Sequence, residues 1–217
     1  MRSISVQVGP LAAPNASNIA GSQTPGAAGN LTLTVGAIAG TTPDTPRRVL
    51  FTPAGNESSN GTIWTIYGTD WNNTAVSETV AGVNNPSTVY TVYDYKTVTR
   101  IAVNKAQAGA VTVGTNGIAS SRPVFLDNFA FPQTAIQVTV SGTINYTVRQ
   151  TLDDPNAPNN PVAYTAVTWV NHPDASLVSV TATAQGNYAY MPAMVQLLVN
   201  SNTNPATAVM TLIQSDI

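Results

Sequence analysis

Apolar and polar residues alternate with a period of two through most of this chain, and no window of a dozen residues carries the 3.6-residue stripe of an amphipathic helix. In residues 31–35, Leu31, Leu33 and Val35 share one face and Thr32 and Thr34 the other. Ile136, Val138 and Val140 alternate with Gln137 and Thr139, and Ile144, Tyr146 and Val148 alternate with Asn145, Thr147 and Arg149. Further strands are predicted over 48–51, 62–67, 76–80, 89–93, 97–103, 111–113, 164–170, 177–183, 194–199 and 206–213. Asn60-Gly61 and Asn116-Gly117 read as hairpin turns, because both residues accept the positive φ angles of a two-residue loop. The strongest hairpin signal is the pair 136–140 and 144–148 about Ser141-Gly142.

Residues 1–30 break the pattern. They are mostly Ala, Gly, Pro, Ser, Asn and Gln with isolated Val, Leu and Ile, so alone they bury too little apolar surface to offset their ordering entropy. An irregular N-terminal arm is predicted there, ordered by a neighbouring subunit, with Ile4, Val6 and Val8 able to add a short strand to another sheet's edge. For residues 31–217 the many short Val- and Thr-rich strands predict an all-β fold, an antiparallel β-sandwich of jelly-roll type. A closed barrel or two small sandwiches fit the same strands. The longest loop signal, 153–161, is a linker or a crossover; only four strands follow it, too few for a second core, so one domain is expected.

Composition narrows the function. Of 217 residues only 8% are charged, against about 25% in an ordinary soluble domain. Residues 3–43 and 175–215 hold no charged side chain at all. Sparse charge, with six Arg to two Lys, resembles the composition of interface cores and points to surface covered by neighbours; solvation by Thr, Asn and Ser is the alternative. A formal net charge of −2 without a basic stripe argues against nucleic-acid binding. Zero Cys removes disulfides, thiolate metal sites and Cys nucleophiles. Neither a transmembrane helix nor a signal peptide is read, so no membrane partner is expected.

Candidate chemistry is thin. His172, the single His, sits in Val-Asn-His-Pro-Asp; a triad would pair it with Asp174 and a Ser, but no G-x-S-x-G supports one and a turn role is expected. Asp153, Asp154 and Asn156 offer oxygens to Ca²⁺ but lack the D-x-D-x-D-G spacing and its later Glu, so they read as loop caps. Asp44, Asp70, Asp94 and Asp127 fall at presumed strand ends, where Asp meets backbone donors. Phosphate-cradling motifs are absent. No enzyme, no cofactor and no metal are expected. Trp64, Tyr67, Trp71, Tyr188 and Tyr190 have two readings, packing or a sugar-stacking platform, and packing is preferred.

One stretch resembles a known group. Residues 47–154 carry Arg48-Val49, Gly55-Asn56-Glu57-Ser58, Gly68-Thr69-Asp70 and Ser77-Glu78-Thr79-Val80-Ala81-Gly82. Tyr95-Lys96-Thr97-Val98-Thr99, Val113-Gly114-Thr115, 141–148 and 150–155 follow in order. Together these resemble virion structural proteins of tailed double-stranded-DNA bacteriophages, of the capsid cement or decoration kind. The resemblance implies a homo-oligomer, a trimer, that clamps the major capsid protein on the capsid exterior. It implies no catalytic residue. The expected assembly interface is Ile4, Val6, Val8, Leu11 and Ile19 of the arm with Trp71, Tyr188 and Tyr190. The competing expectation is a tail-associated or fibre-type receptor- or carbohydrate-binding sandwich that uses Trp71, Tyr188 and Tyr190 as its platform.

Overall fold

The structure, a computed structural model, describes residues 2–34, 46–127, 133–203 and 205–214. Val35 and Asp44 therefore lie outside the described residues. The chain is all-β and its sheets are antiparallel. It divides into two compact units, one of Met1–Leu11 with Ser120–Ile217 and one of Ala12–Ala119, where a single domain over 31–217 was expected. Strands are numbered β1 to β16 in chain order.

In the first unit, β1 (Arg2–Leu11), β16 (Ala206–Gln214), β11 (Thr134–Ser141) and β14 (Ala184–Tyr188) form one sheet in that order. β13 (Val170–Asn171), β12 (Ile144–Thr151) and β15 (Met194–Asn202) pair in a second, with β10 (Val124–Phe125) on β15. The period-two pattern sets which residues meet. Val6, Met210 and Val138 stand side by side across three strands, as do Ile4, Leu212 and Ile136, and all but Ile4 are buried. Tyr146, Val148, Leu197 and Val199 supply buried residues from the other sheet. The chain changes sheet at nearly every connection from β10 to β16.

The second unit has the same plan. β3 (Gly29–Asn30), β8 (Thr97–Val103), β5 (Ile63–Thr69) and β6 (Ala75–Ala81) make one sheet. β2 (Asn15–Gln23), β9 (Val111–Ser120), β4 (Arg47–Pro53) and β7 (Val89–Tyr90) pair in the other. Their core holds Ile19, Leu31, Val49, Phe51, Trp64, Ile66, Tyr95, Ile101 and Val113. Phe51 on β4 stacks on Trp64 on β5, with centroids 4.8 Å apart and planes at 13°. Such a pair adds about 0.5–1.5 kcal/mol beyond its buried area.

Several local expectations change. Asn60-Gly61 is no hairpin turn: it ends a short helix, α1 (Glu57–Asn60), and Gly61 at φ 70 takes the left-handed cap with its N–H on the carbonyls of Glu57 and Ser58. An Asn-Gly pair serves either role because both require positive φ. Asn116-Gly117 lies inside β9, at a bulge between the pairs Val49–Thr115 and Arg47–Ala119, where the Asn116 Oδ1 accepts from the Ile118 N–H at 3.0 Å. The pair 136–140 and 144–148 is not a hairpin either. β11 pairs with β14 and β16 and β12 with β13 and β15, so Ser141-Gly142 carries the chain from one sheet to the other. The hairpin that does form is β5–β6, closed by Asp70, whose Oδ1 accepts from the N–H groups of Asn72 and Thr74.

The N-terminal arm is corrected most. Residues 2–11 form an edge strand on β16 of their own chain, and 15–23 form β2. The apolar residues 4, 6 and 8 that looked too sparse to fold alone find a full partner 200 residues away in sequence, where Val8 faces Ala208. The uncharged C-terminal strands also lie within their own unit: every second residue of β16 is buried, and β15 is buried along most of its length. Strands flanked on both sides and covered on one face need no charge, so the low charge of β15 and β16 reports internal strands and not only surface for neighbours.

Candidate functional site

Most of the residues expected at an assembly interface lie in the core. Val6, Val8, Leu11, Ile19 and Tyr188 are buried inside their own units, Ile4 and Trp71 are half-buried, and Tyr190 is exposed. Trp71 belongs to the second unit and Tyr188 and Tyr190 to the first. The Tyr188 ring packs on His172 with centroids 4.5 Å apart, and burial pushes its phenol pKa upward, so it presents no face for a sugar. Trp64 is likewise core, while Tyr67, three residues on and on the other face of β5, is covered by the Arg100 guanidinium at 3.8 Å.

The carboxylates hold backbone. Asp153 accepts from the Thr168 N–H at 2.7 Å and Asp154 from the Asn156 N–H at 2.8 Å, which fixes the 153–168 loop. Glu78 accepts from the N–H groups of Val92 and Tyr93 at 2.7 and 3.0 Å. Asp94 lies 3.9 Å from the Arg48 Nε. Glu57 is fully buried: its Oε2 accepts from the Thr62 hydroxyl at 2.5 Å and its Oε1 from the Gly109 N–H at 2.9 Å. Sequence reasoning missed this clasp because it assigned charged groups to the surface. Among the described residues no three His, Asp or Glu side chains come together as a metal site.

His172 lies in the loop after β13, and its side chain is buried. Its Nδ1 accepts from the Asp174 backbone N–H at 3.0 Å, while the Asp174 carboxylate accepts from Ser176 N–H at 2.8 Å. A triad needs the carboxylate, not the amide, on the imidazole, so this geometry orients no base. Nδ1 as acceptor leaves the neutral ring protonated on Nε2. Burial holds the His172 pKa below its ordinary value. The ring and the Leu177 side chain both lie beside Gly186, where an added Cβ would meet the Leu177 Cδ1 at 2.6 Å and the His172 Cε1 at 3.9 Å.

What the two units do present is apolar. In the first, Phe125, Leu152, Tyr164, Val170 and Tyr190 are exposed, Leu152 at 73%. Phe125 and Thr151 flank Met194 on adjacent strands, Leu152 follows Thr151, and the Tyr164 ring meets Phe125 edge-on at 6.3 Å. Arg149 lies 5.0 Å over Trp169, its Nε donating to the Gln196 Oε1 at 2.9 Å. In the second unit Tyr90 and Val92 point outward while Thr91 between them is buried, its hydroxyl accepting from the Val49 N–H and donating to the Tyr93 carbonyl. Glu78 thus clamps a loop that displays two apolar side chains, with Arg48 lying 5.7 Å over the Tyr90 ring. The strand pattern was legible in the sequence, and so was Tyr190; the other exposed apolar residues were not singled out, because most lie in two-residue strands or in connections without a clear period.

The sequence matches no protein-family model, and it matches no curated protein sequence.

Proposed function

We propose that this chain is a structural virion protein that stabilises a phage capsid from outside, bridging major capsid subunits as a cement-type homo-oligomer. The observation that carries the reading is the pairing of neutral, well-packed sandwiches with rigidly held apolar side chains, Phe125 with Tyr164 in one unit and Tyr90 with Val92 in the other. Interface centres are poor in Lys, Asp and Glu and rich in aromatic residues, and those four side chains have that character. Glu57, Glu78, Asp153 and Asp154 accept from backbone amides.

Each contact need only be modest, because many copies on one shell act together. Of the three aromatic residues a sugar-stacking platform would use, Tyr188 is buried, while Trp71 is half-buried and Tyr190 exposed. The stoichiometry of three comes from the family resemblance and is part of the same proposal. Quantitative mass spectrometry of purified virions tests the reading: the chain is expected in hundreds of copies, and its absence overturns it.

A further inference from the structure

The first sheet of the first unit ends on β1, and among the described residues no strand pairs with its outer edge. Long edge strands are usually interrupted by Lys, Pro or a bulge, which stops another chain from adding to them. Here Arg2 to Val8 runs in unbroken register with Gln214 to Ala208, and the irregularity comes only after Val8. From residue 3 to residue 34 no side chain is charged. The opposite edge, β14, is a five-residue strand. Residues 2–8 of β1 are therefore the long and regular part of this edge, with Arg2 at one end and the bulge and Pro10 beyond the other.

We infer that β1 pairs antiparallel with β1 of a second copy of this chain about a two-fold axis at Ser5. The run of seven regular residues has Ser5 at its midpoint, so a two-fold pair that uses all of it is centred there. In that register Ser3 falls opposite Gln7 and Ile4 opposite Val6, polar beside polar and apolar beside apolar. Arg2, the charged residue of the strand, falls opposite Val8 and not opposite its own copy. Ser5 and Gln7 are exposed, so the outer face of the joined sheet is polar, while Val6 and Val8 stay in each copy's own core. Seven residues of edge cover less than the roughly 800 Å² per partner of a standard interface. The contact is accordingly weak between free chains and strengthens where copies are held side by side. It rests on the first unit's fold alone and not on the virion reading, so either stands if the other fails.

The chain has no cysteine, so single replacements report the register directly. Residues directly opposite in an antiparallel pair have Cα atoms about 4.5–5.5 Å apart, within disulfide reach. In the full-length Ser5→Cys variant the two thiols face each other. In Gln7→Cys they are offset by four residues, roughly 13 Å, and cannot join. Under mild oxidation Ser5→Cys is expected to give at least about tenfold more covalent dimer than Gln7→Cys. A maleimide-reactive Ser5→Cys that yields no dimer, or equal dimer from both variants, overturns the pairing. Hydrogen exchange on the unaltered chain gives a second reading: amides within residues 2–8 should gain protection as protein concentration rises, and exchange independent of concentration contradicts the inference.

Discussion

Replacing Glu57 by Ala removes the acceptor of two donors, the buried Thr62 hydroxyl and the part-buried Gly109 N–H. The site cannot rearrange easily: a Cβ at Gly82 would lie 2.8 Å from the Glu57 Cβ, and the backbones of Gly55 and Gly109 already touch. Each orphaned donor costs about 1–3 kcal/mol, so Glu57→Ala should destabilise the second unit by about 3 kcal/mol. Glu57→Gln keeps an oxygen for Gly109 and turns an amide toward the Thr62 hydroxyl, which can rotate to accept, so its cost is about 1 kcal/mol. Removing both partners in Glu57→Ala/Thr62→Val should cost less than the sum of the single changes, since one orphan disappears. Urea unfolding followed by tryptophan fluorescence measures this, because Trp64 lies in the same core. A Glu57→Ala variant within about 1 kcal/mol of the parent, or a Gln variant as damaging as Ala, would refute the clasp.

Three further outcomes are expected. His172 has a pKa depressed by burial from its ordinary 6.5, so below that value the unfolded chain binds the extra proton first, and stability present above pH 6.5 is lost as pH falls toward the folded-state pKa. His172→Gln should flatten that slope in urea titrations from about pH 7 to about pH 5, a window in which the lowered Asp174 carboxyl stays ionised. Gly114→Ala would put a Cβ 1.9 Å from the Asn15 carbonyl oxygen, backbone against backbone, and should cost more than about 2 kcal/mol in the same unfolding assay. Phe125→Ser with Tyr164→Ser should leave the unfolding midpoint nearly unchanged while lowering retention on washed capsids by about tenfold or more; unchanged retention would remove this patch from the interface.

The all-β class was legible because apolar and polar residues alternate along β11 and along Ile144–Arg149 of β12, and β5 and β11 bury every second residue over most of their length. Strand partners were not legible. Gly61 and Gly142 both have positive φ, but the first caps a helix and the second carries the chain between sheets. Local turn chemistry fixes φ and leaves open which distant strand supplies the hydrogen bonds. β1 was hidden for a related reason: its burial depends on β16 at the far end of the chain. β2 was hidden by its own irregularity, since its pairing with β9 shifts register twice and Ile19 and Ala20 are buried in succession. At the candidate surface, composition pointed to contact but placed it on Val6, Val8, Leu11, Ile19 and Tyr188, which are core. Composition reports how much apolar surface a chain carries, and only the fold decides which part faces outward.

We propose that the capsid is met by exposed apolar side chains of each unit, Phe125 with Tyr164 in the first and Tyr90 with Val92 in the second. Peptide-level quantification of purified virions against the major capsid protein tests it most directly. The account predicts hundreds of copies per particle, lost together when the shell is stripped of its outer proteins. A particle with none of this chain, or with only a handful located at the tail, would contradict it.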